Sequence, residues 1–158
     1  MVNLKDIFEI GYGTKLDFNE TIPVESGGVL YITRSAVNHG IKTRVELIPG
    51  IEPNPAGTIT VPLGGEGRLT ANLQFAPYYN GQNIAILKPK KTLSINELLY
   101  YVLIIRKNQF KYTAFGREAN VTLPTIKVAS VDEISDFVKN SNYELVLENV
   151  NEDNKFLK

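Results

Sequence analysis

Apolar residues along this chain come in short bursts bounded by glycine and polar residues, and only one segment sustains a longer apolar run. The bursts Val29 to Thr33, Thr58 to Leu63 and Asn83 to Leu87 are rich in β-branched and aliphatic side chains, so each predicts a strand. The longer run, Leu98 to Ile105, follows Ser94-Ile-Asn-Glu97, in which a Ser hydroxyl and a Glu carboxylate satisfy orphan N–H groups of a first helical turn. It predicts a helix over about 95–110, apolar nearly all round and therefore buried against a sheet, with Arg106, Lys107 and Lys111 at its electronegative end. A second capping box, Ser130 to Glu133, opens a short helix over about 131–139 with Ile134, Phe137 and Val138 as its apolar stripe. The expectation is an α+β fold: a single compact domain with a mixed, mainly antiparallel sheet, one buried helix and a short C-terminal helix.

The segments between are legible mainly as connectors. Val2 to Ile10 is a short helical turn or strand entering the turn Gly11-Tyr12-Gly13, and Leu16 to Ser26 reads as polar loop. Arg34 to Arg44 reads as a basic loop around the turn signal Asn38-His39-Gly40, with His39 facing solvent. Three prolines make Ile48 to Pro55 irregular. Between the strands Thr58 to Leu63 and Asn83 to Leu87 lie Gly64, Gly65 and Gly67, then Arg68, then the aromatic group Phe75, Tyr78 and Tyr79. Glycines there let a backbone approach another surface, so a rigid frame presenting a contact-making edge is one reading and a wide solvent-facing hairpin loop the other. Phe115 to Leu123 is expected as a loop running into a strand that includes Ile126 to Val128, and Tyr143 to Leu147 as a last strand. The domain is expected to span 1–147, with 148–158 a polar tail.

Composition removes several possibilities. The 158 residues, 43% hydrophobic, suffice for one domain with a real core. The absence of Cys excludes a disulfide framework, a thiolate metal site and a cysteine nucleophile. The N-terminus lacks an uninterrupted apolar stretch of signal-peptide type and Leu98 to Ile105 is too short to span a bilayer, so the expected location is cytoplasmic and the sequons at Asn19 and Asn120 are discounted. The formal net charge is zero but unevenly placed: residues 34–127 carry twelve Lys or Arg against five acids, a net of +7, while residues 1–33 carry −3 and 128–158 carry −4. A basic middle favours a polyanionic partner.

Catalytic chemistry finds little footing. No glycine-rich segment ends in the Lys-Ser/Thr of a phosphate-binding loop, and Asn54-Pro55-Ala56-Gly57 lacks the second proline and the aromatic ring of an amino-methyltransferase motif. The single Asp-x-Lys, at Asp153 to Lys155, lies in the polar tail rather than in a nuclease-like acidic cluster. The carboxylates of the basic middle are isolated, with Glu66 and Glu118 read as partners of Arg68 and Arg117. A serine triad would need a His, and His39 sits in a turn. No cofactor or metal is expected. The Arg34 to Arg44 loop, by contrast, offers cations for phosphates and amides for base edges, and Lys88-Pro-Lys-Lys91 adds a dense cationic cluster.

Five blocks in order carry a resemblance: LKDIFEIGYG from Leu4, LYITRS from Leu30 with NHGI from Asn38, PLGGEG from Pro62, YNGQNIAIL from Tyr79, and FGREANVTL from Phe115. This succession resembles the target recognition domains of type I restriction-modification specificity subunits and the similar domains of bifunctional type II systems. The resemblance implies a mixed domain without catalysis of its own that reads one part of a split double-stranded DNA sequence for methyltransferase and nuclease subunits. It implies Arg34, Arg68, Arg117, Asn38 and Asn120 as base readers, since Arg pairs with guanine and Asn with adenine edges. Lys42, Arg44, Lys88, Lys90 and Lys91 are implied as phosphate clamps, and His39, Gly64 and Gly65 belong to the same DNA-contacting loops. The chain departs from complete subunits, which hold two recognition domains joined by long helices, in lacking a long heptad-patterned helix, so the expectation is an excised domain, a truncated product, or half of an assembly completed by another polypeptide. The competing expectation is a protein-interaction module whose contact patch is Phe75, Tyr78 and Tyr79.

Overall fold

The strands expected at 58–63 and 83–87 pair antiparallel in the computed structural model, which describes residues 1–109 and 119–141, with only the backbone at 120. In chain order the strands are β1 (Val2–Asn3), β2 (Phe8–Gly11), β3 (Pro23–Val24), β4 (Val29–Ile32), β5 (Ile41–Val45), β6 (Ile59–Pro62), β7 (Asn72–Leu73), β8 (Tyr78–Asn80), β9 (Ile84–Pro89) and β10 (Lys127–Val128). The helices that matter for packing are α1 (Leu4–Ile7) and α2 (Ile95–Lys107). One antiparallel sheet has the order β2-β9-β6-β7 and a second the order β3-β5-β4-β8, while β1 and β10 form a two-stranded ribbon. The β4–β8 pairing is parallel and the others are antiparallel, giving the expected mixed, mainly antiparallel α+β domain.

Alternation along β9 explains the layering. Ala85 and Leu87 point into a core shared with Ile59, Val61 and the α2 residues Leu98, Tyr101, Val102 and Ile105. Ile84 and Ile86 point the other way, onto Leu30, Ile32 and Ile41 of the second sheet. The first sheet is therefore covered on both faces, by α2 and by the second sheet, which is why all four residues of β6 are buried and Thr60 hydrogen-bonds within the fold, donating to the Asn72 carbonyl and accepting from Gln74 Nε2. Beyond the second sheet, Val29, Tyr31, Val45 and Tyr79 pack with Leu16 under the loops.

Helix α2 starts at the expected box: Ser94 Oγ accepts from the Glu97 N–H at 3.2 Å and Glu97 accepts from the Ser94 N–H at 2.9 Å. Each fully buried large apolar side chain contributes about 1.5–3 kcal/mol, which makes its inner face a main anchor. The helix is not buried all round, however: Ile95 and Leu103 are exposed and Leu99 half-buried, because one face meets the sheet and the other meets solvent. At its C-terminal end Arg106 donates to the Ala71 carbonyl at 2.8 Å and to Asn72 Oδ1 at 2.7 Å, tying the helix to edge strand β7.

Several connectors are more ordered than the sequence suggests. The polar stretch 16–26 contains a 3-10 turn, Phe18–Glu20, and edge strand β3, while Lys42 and Arg44 lie on β5 rather than in a loop. Tyr78 and Tyr79 form β8 and are wholly buried, with Tyr78 Oη bonded to Thr58 Oγ1 at 2.7 Å and Tyr79 Oη donating to the Ile51 carbonyl at 2.8 Å. They form no surface patch. The segment after 119 is helical instead of extended, as turns Ala119–Thr122 and Leu123–Thr125, before β10. The helix expected over 131–139 is broken: the capped turn Val131–Glu133 ends where buried Ile134 turns extended, and Ser135 caps a new turn, Asp136–Lys139. Asn96 Nδ2 donates to the Val138, Lys139 and Ser141 carbonyls, closing that turn against α2. The expected strand at 143–147, the tail and residues 115–118 lie outside the described residues.

Asn80, completely buried at the end of edge strand β8, ties separate segments together. Its Oδ1 accepts from the Thr14 N–H (2.9 Å), Thr14 Oγ1 (3.2 Å) and Asn54 Nδ2 (2.8 Å). Its Nδ2 donates to the Tyr12 and Gly81 carbonyls at 2.9 and 2.8 Å. Gly13, at φ 63°, leaves room for this: a Cβ there would strike Asn80 Oδ1.

Candidate nucleic-acid interface

Where β4 ends, the chain makes a bend through three consecutive left-handed residues, Asn38 (φ 51°), His39 (φ 59°) and Gly40 (φ 76°). Two non-glycine residues in that region cost strain, which persists only where the surroundings fix the backbone. Here they do. Thr33 N–H donates to the Gly40 carbonyl at 2.7 Å, the Gly40 N–H to the Val37 carbonyl at 3.0 Å, and Asn38 Nδ2 to the Ile41 carbonyl at 3.2 Å. His39 Nε2 lies 3.1 Å from the Leu73 carbonyl, so the tautomer protonated at Nε2 donates there, and Gln74 Nε2 donates to the His39 carbonyl at 3.2 Å. His39 is thus a half-buried bracket between the bend and β7, not a solvent-facing turn residue. Arg34, Ala36 and Val37 are left exposed.

The glycine loop after β6 lies directly against that bend. Gly67 has no left-handed φ; its constraint is space, since a Cβ would strike the Arg34 carbonyl oxygen and stand 3.0 Å from Ala36 N. A Cβ on Gly64 would stand 2.7 Å from Asn83 Nδ2 and 3.5 Å from Arg34 Nη1. Gly65 is exposed at φ 74° with nothing around it. Arg34 to Val37 and Gly65 to Gly67 line one shallow groove of about 380 Å³. Arg68 is half-buried beside it, and elsewhere in the fold the Met1 ammonium pairs with Glu133 at 3.3 Å. The Arg34 guanidinium has no hydrogen bond or ion pair among the described residues, whereas Arg44 donates to the Gly27 carbonyl at 3.3 Å and Arg106 is tied to β7.

The remaining candidates do not join this cluster. The Lys42 ammonium sits 4.1 Å over the Phe18 ring. Lys88, Lys90 and Lys91 are exposed at the far end of β9, where Lys88 faces Glu9, whereas Ile84 faces Pro62 near the glycine loop. Four residues at about 3.3 Å each separate the two ends by about 13 Å. The lysines border two open grooves, one of about 420 Å³ shared with Asp6 and Asp132 and one of about 580 Å³ shared with Pro55 to Thr58. Arg117 lies outside the described residues, as does the side chain of Asn120. No cluster of three metal-ligating residues occurs among the described residues. Sequence reasoning missed Val37 and Gln74; the signal for Gln74 was a polar residue two places after Asn72 in an otherwise apolar frame.

Residues 1–132 match the family model of the type I restriction modification DNA specificity domain. The chain belongs to this family. The specificity domain is the non-catalytic component of such restriction-modification systems. Among solved structures, it is similar to the S subunit of a type I system from M. genitalium at 16% identity and TM-score 0.69, covering 98% of this chain and 40% of that one. It is similar to the HsdS subunit from Thermoanaerobacter tengcongensis at 16% identity and TM-score 0.61, covering 98% and 38%. A third similar chain comes from a structure describing complex assembly and conformational transition of the type I R-M system, at 14% identity and TM-score 0.63, covering 98% and 39%. These are likenesses of fold, and the specificity domain spans about two fifths of each of those chains. No curated protein sequence matches it. Among its described residues no helix is long and apolar enough to cross a membrane.

Proposed function

We propose that this specificity domain reads one part of a split double-stranded DNA target, with the Arg34 to Val37 bend and the Gly64 to Arg68 loop as its reading edge. The observation that carries this reading is an uncommitted guanidinium, Arg34, on a backbone braced on two sides, beside a glycine loop that leaves space for a close partner. Arg34 is suited to the O6 and N7 acceptors of guanine, and a braced backbone removes ordering entropy from the complex. Arg68, Arg117 and Asn120 are further readers. Asn38 uses its amide to close the bend and acts on the DNA through Arg34. Lys42, Arg44, Lys88, Lys90 and Lys91 contact phosphates, and the separation of the Lys88 to Lys91 cluster extends the footprint beyond the bases read.

The unit that carries this activity spans 1–147. Its partners are the methyltransferase and nuclease subunits of the same system and a second recognition domain, met in the cytoplasm where the DNA is. Random-site selection with the full chain, followed by gel shifts, is the test. A short defined motif should emerge, with Arg34→Glu abolishing preference for it. Lys88→Gln/Lys90→Gln/Lys91→Gln should weaken binding to all sequences alike and lower the salt slope by about 0.9 for every phosphate that is no longer neutralised. No retardation of any duplex at low salt, or an unchanged motif in Arg34→Glu, would overturn the proposal.

A further inference from the structure

Val37 stands on the outer turn of the bend with 72% of its surface exposed and belongs to none of the three apolar cores. Its backbone is nonetheless held at both ends: its N–H donates to Ser35 Oγ at 3.2 Å and its carbonyl accepts from the Gly40 N–H at 3.0 Å. A β-branched side chain is stiff at χ1, so a fixed backbone presents its two methyl groups in one direction. Folding gains nothing from an apolar group there. Val37 shares the groove with Arg34 and the glycine loop, so whatever approaches the free guanidinium also meets these methyls. The apolar group that a major groove offers is the C5-methyl of a pyrimidine, carried by thymine.

We propose that Val37 packs against the C5-methyl group of a pyrimidine in the target, a specificity contact next to the base that Arg34 reads. It rests on the DNA-reading proposal above. Three residues of chain separate the Cα atoms of Arg34 and Val37 by at most about 11 Å. At about 3.4 Å per base along a strand, that backbone separation corresponds to about three base steps, so the pyrimidine lies in the same short stretch of the target as the Arg34 contact.

The test uses the selected duplex and versions in which each thymine in turn is replaced by deoxyuridine, which removes only the methyl group. For the wild-type chain one such replacement, close to the position whose preference disappears in Arg34→Glu, should weaken binding about fourfold, the value of one buried methyl-sized group. Val37→Ala should bind the thymine duplex about fourfold more weakly than wild type and be indifferent to that replacement. Because Val37 is exposed, Val37→Ala should melt like wild type. A selected site without thymine near that position, deoxyuridine replacements that are all neutral, or a Val37→Ala variant that keeps the full deoxyuridine penalty overturns the inference while leaving DNA reading intact. Failure to bind any DNA overturns both.

Discussion

Replacing Asn80 by Ala removes a completely buried amide that makes five hydrogen bonds to three separate segments. In the variant the Thr14 N–H, the Asn54 side-chain N–H and the Tyr12 and Gly81 carbonyls lose that partner, while the Thr14 hydroxyl keeps the Asn80 backbone carbonyl at 3.1 Å. An orphaned polar group costs about 1–3 kcal/mol, and the part-buried setting of three of these four keeps the cost near the lower bound, so the sum is about 4 kcal/mol. Against a total stability of about 5–15 kcal/mol this is a large fraction, and for a chain of this length it lowers Tm by about 8–16 °C. Urea unfolding followed by circular dichroism should show a lower midpoint with an unchanged slope, since the native surface is the same. Asn80→Asp keeps the acceptor oxygens but sets a carboxylate against the Tyr12 and Gly81 carbonyls. It should be at least as destabilising at neutral pH and recover in part as acid restores a donor. A loss below about 1 kcal/mol in Asn80→Ala would refute the reasoning, because solvent would then be replacing the amide at no cost.

Other consequences are equally open to measurement. Leu98→Asp places an unpaired charge in the core under α2 and should cost more than about 4 kcal/mol, whereas Leu103→Asp, on the exposed face, should shift stability by no more than about 0.5 kcal/mol; equal melting of the two would contradict the assigned orientation of the helix. Burial pushes the Tyr101 hydroxyl up to about 12 and raises that of Tyr78 further, so both contribute stability that is fully present below the ordinary tyrosine value of 10.0 and lost as pH rises through their folded values. In an alkaline titration their tyrosinate absorbance should therefore appear together with loss of the fold, and ionisation of all eight tyrosines in a still-folded protein would refute this. Gly67→Ala should separate the glycine loop from Arg34 and weaken sequence-specific DNA binding more than Gly65→Ala, whose added methyl meets only open space and backbone strain; the reverse order would show that the two loops need not touch.

The parts of the fold visible in the sequence were those decided locally. The Ser94/Glu97 box starts its helix where the spacing says, and the central strands betray themselves as apolar runs because both of their faces are covered. The elements that were misread depend on distant partners. β5 carries Lys42, Thr43 and Arg44, a polar run that becomes a strand only because β4 and β3 flank it. Tyr78 and Tyr79 resemble a contact patch until β8 docks parallel to β4 and the loops at Thr58 and Ile51 accept their hydroxyls. At the candidate interface, Arg34 and the glycine loop were recognisable by residue type. That Gly67 touches the Arg34 backbone was not, since nothing local distinguishes a glycine needed for space from one needed for φ. Nor does residue order reveal that the Lys88 to Lys91 cluster sits at the opposite end of β9.

The ribbon of β1 and β10 sets Val2 opposite Val128 and Asn3 opposite Lys127, so the first strand is clasped to the last across nearly the whole described fold, and the turns Val131–Glu133 and Asp136–Lys139 follow that clasp. Closure entropy grows only slowly with the length of chain between two paired strands, so a few residues added to a surface loop inside the clasp should leave the seam intact.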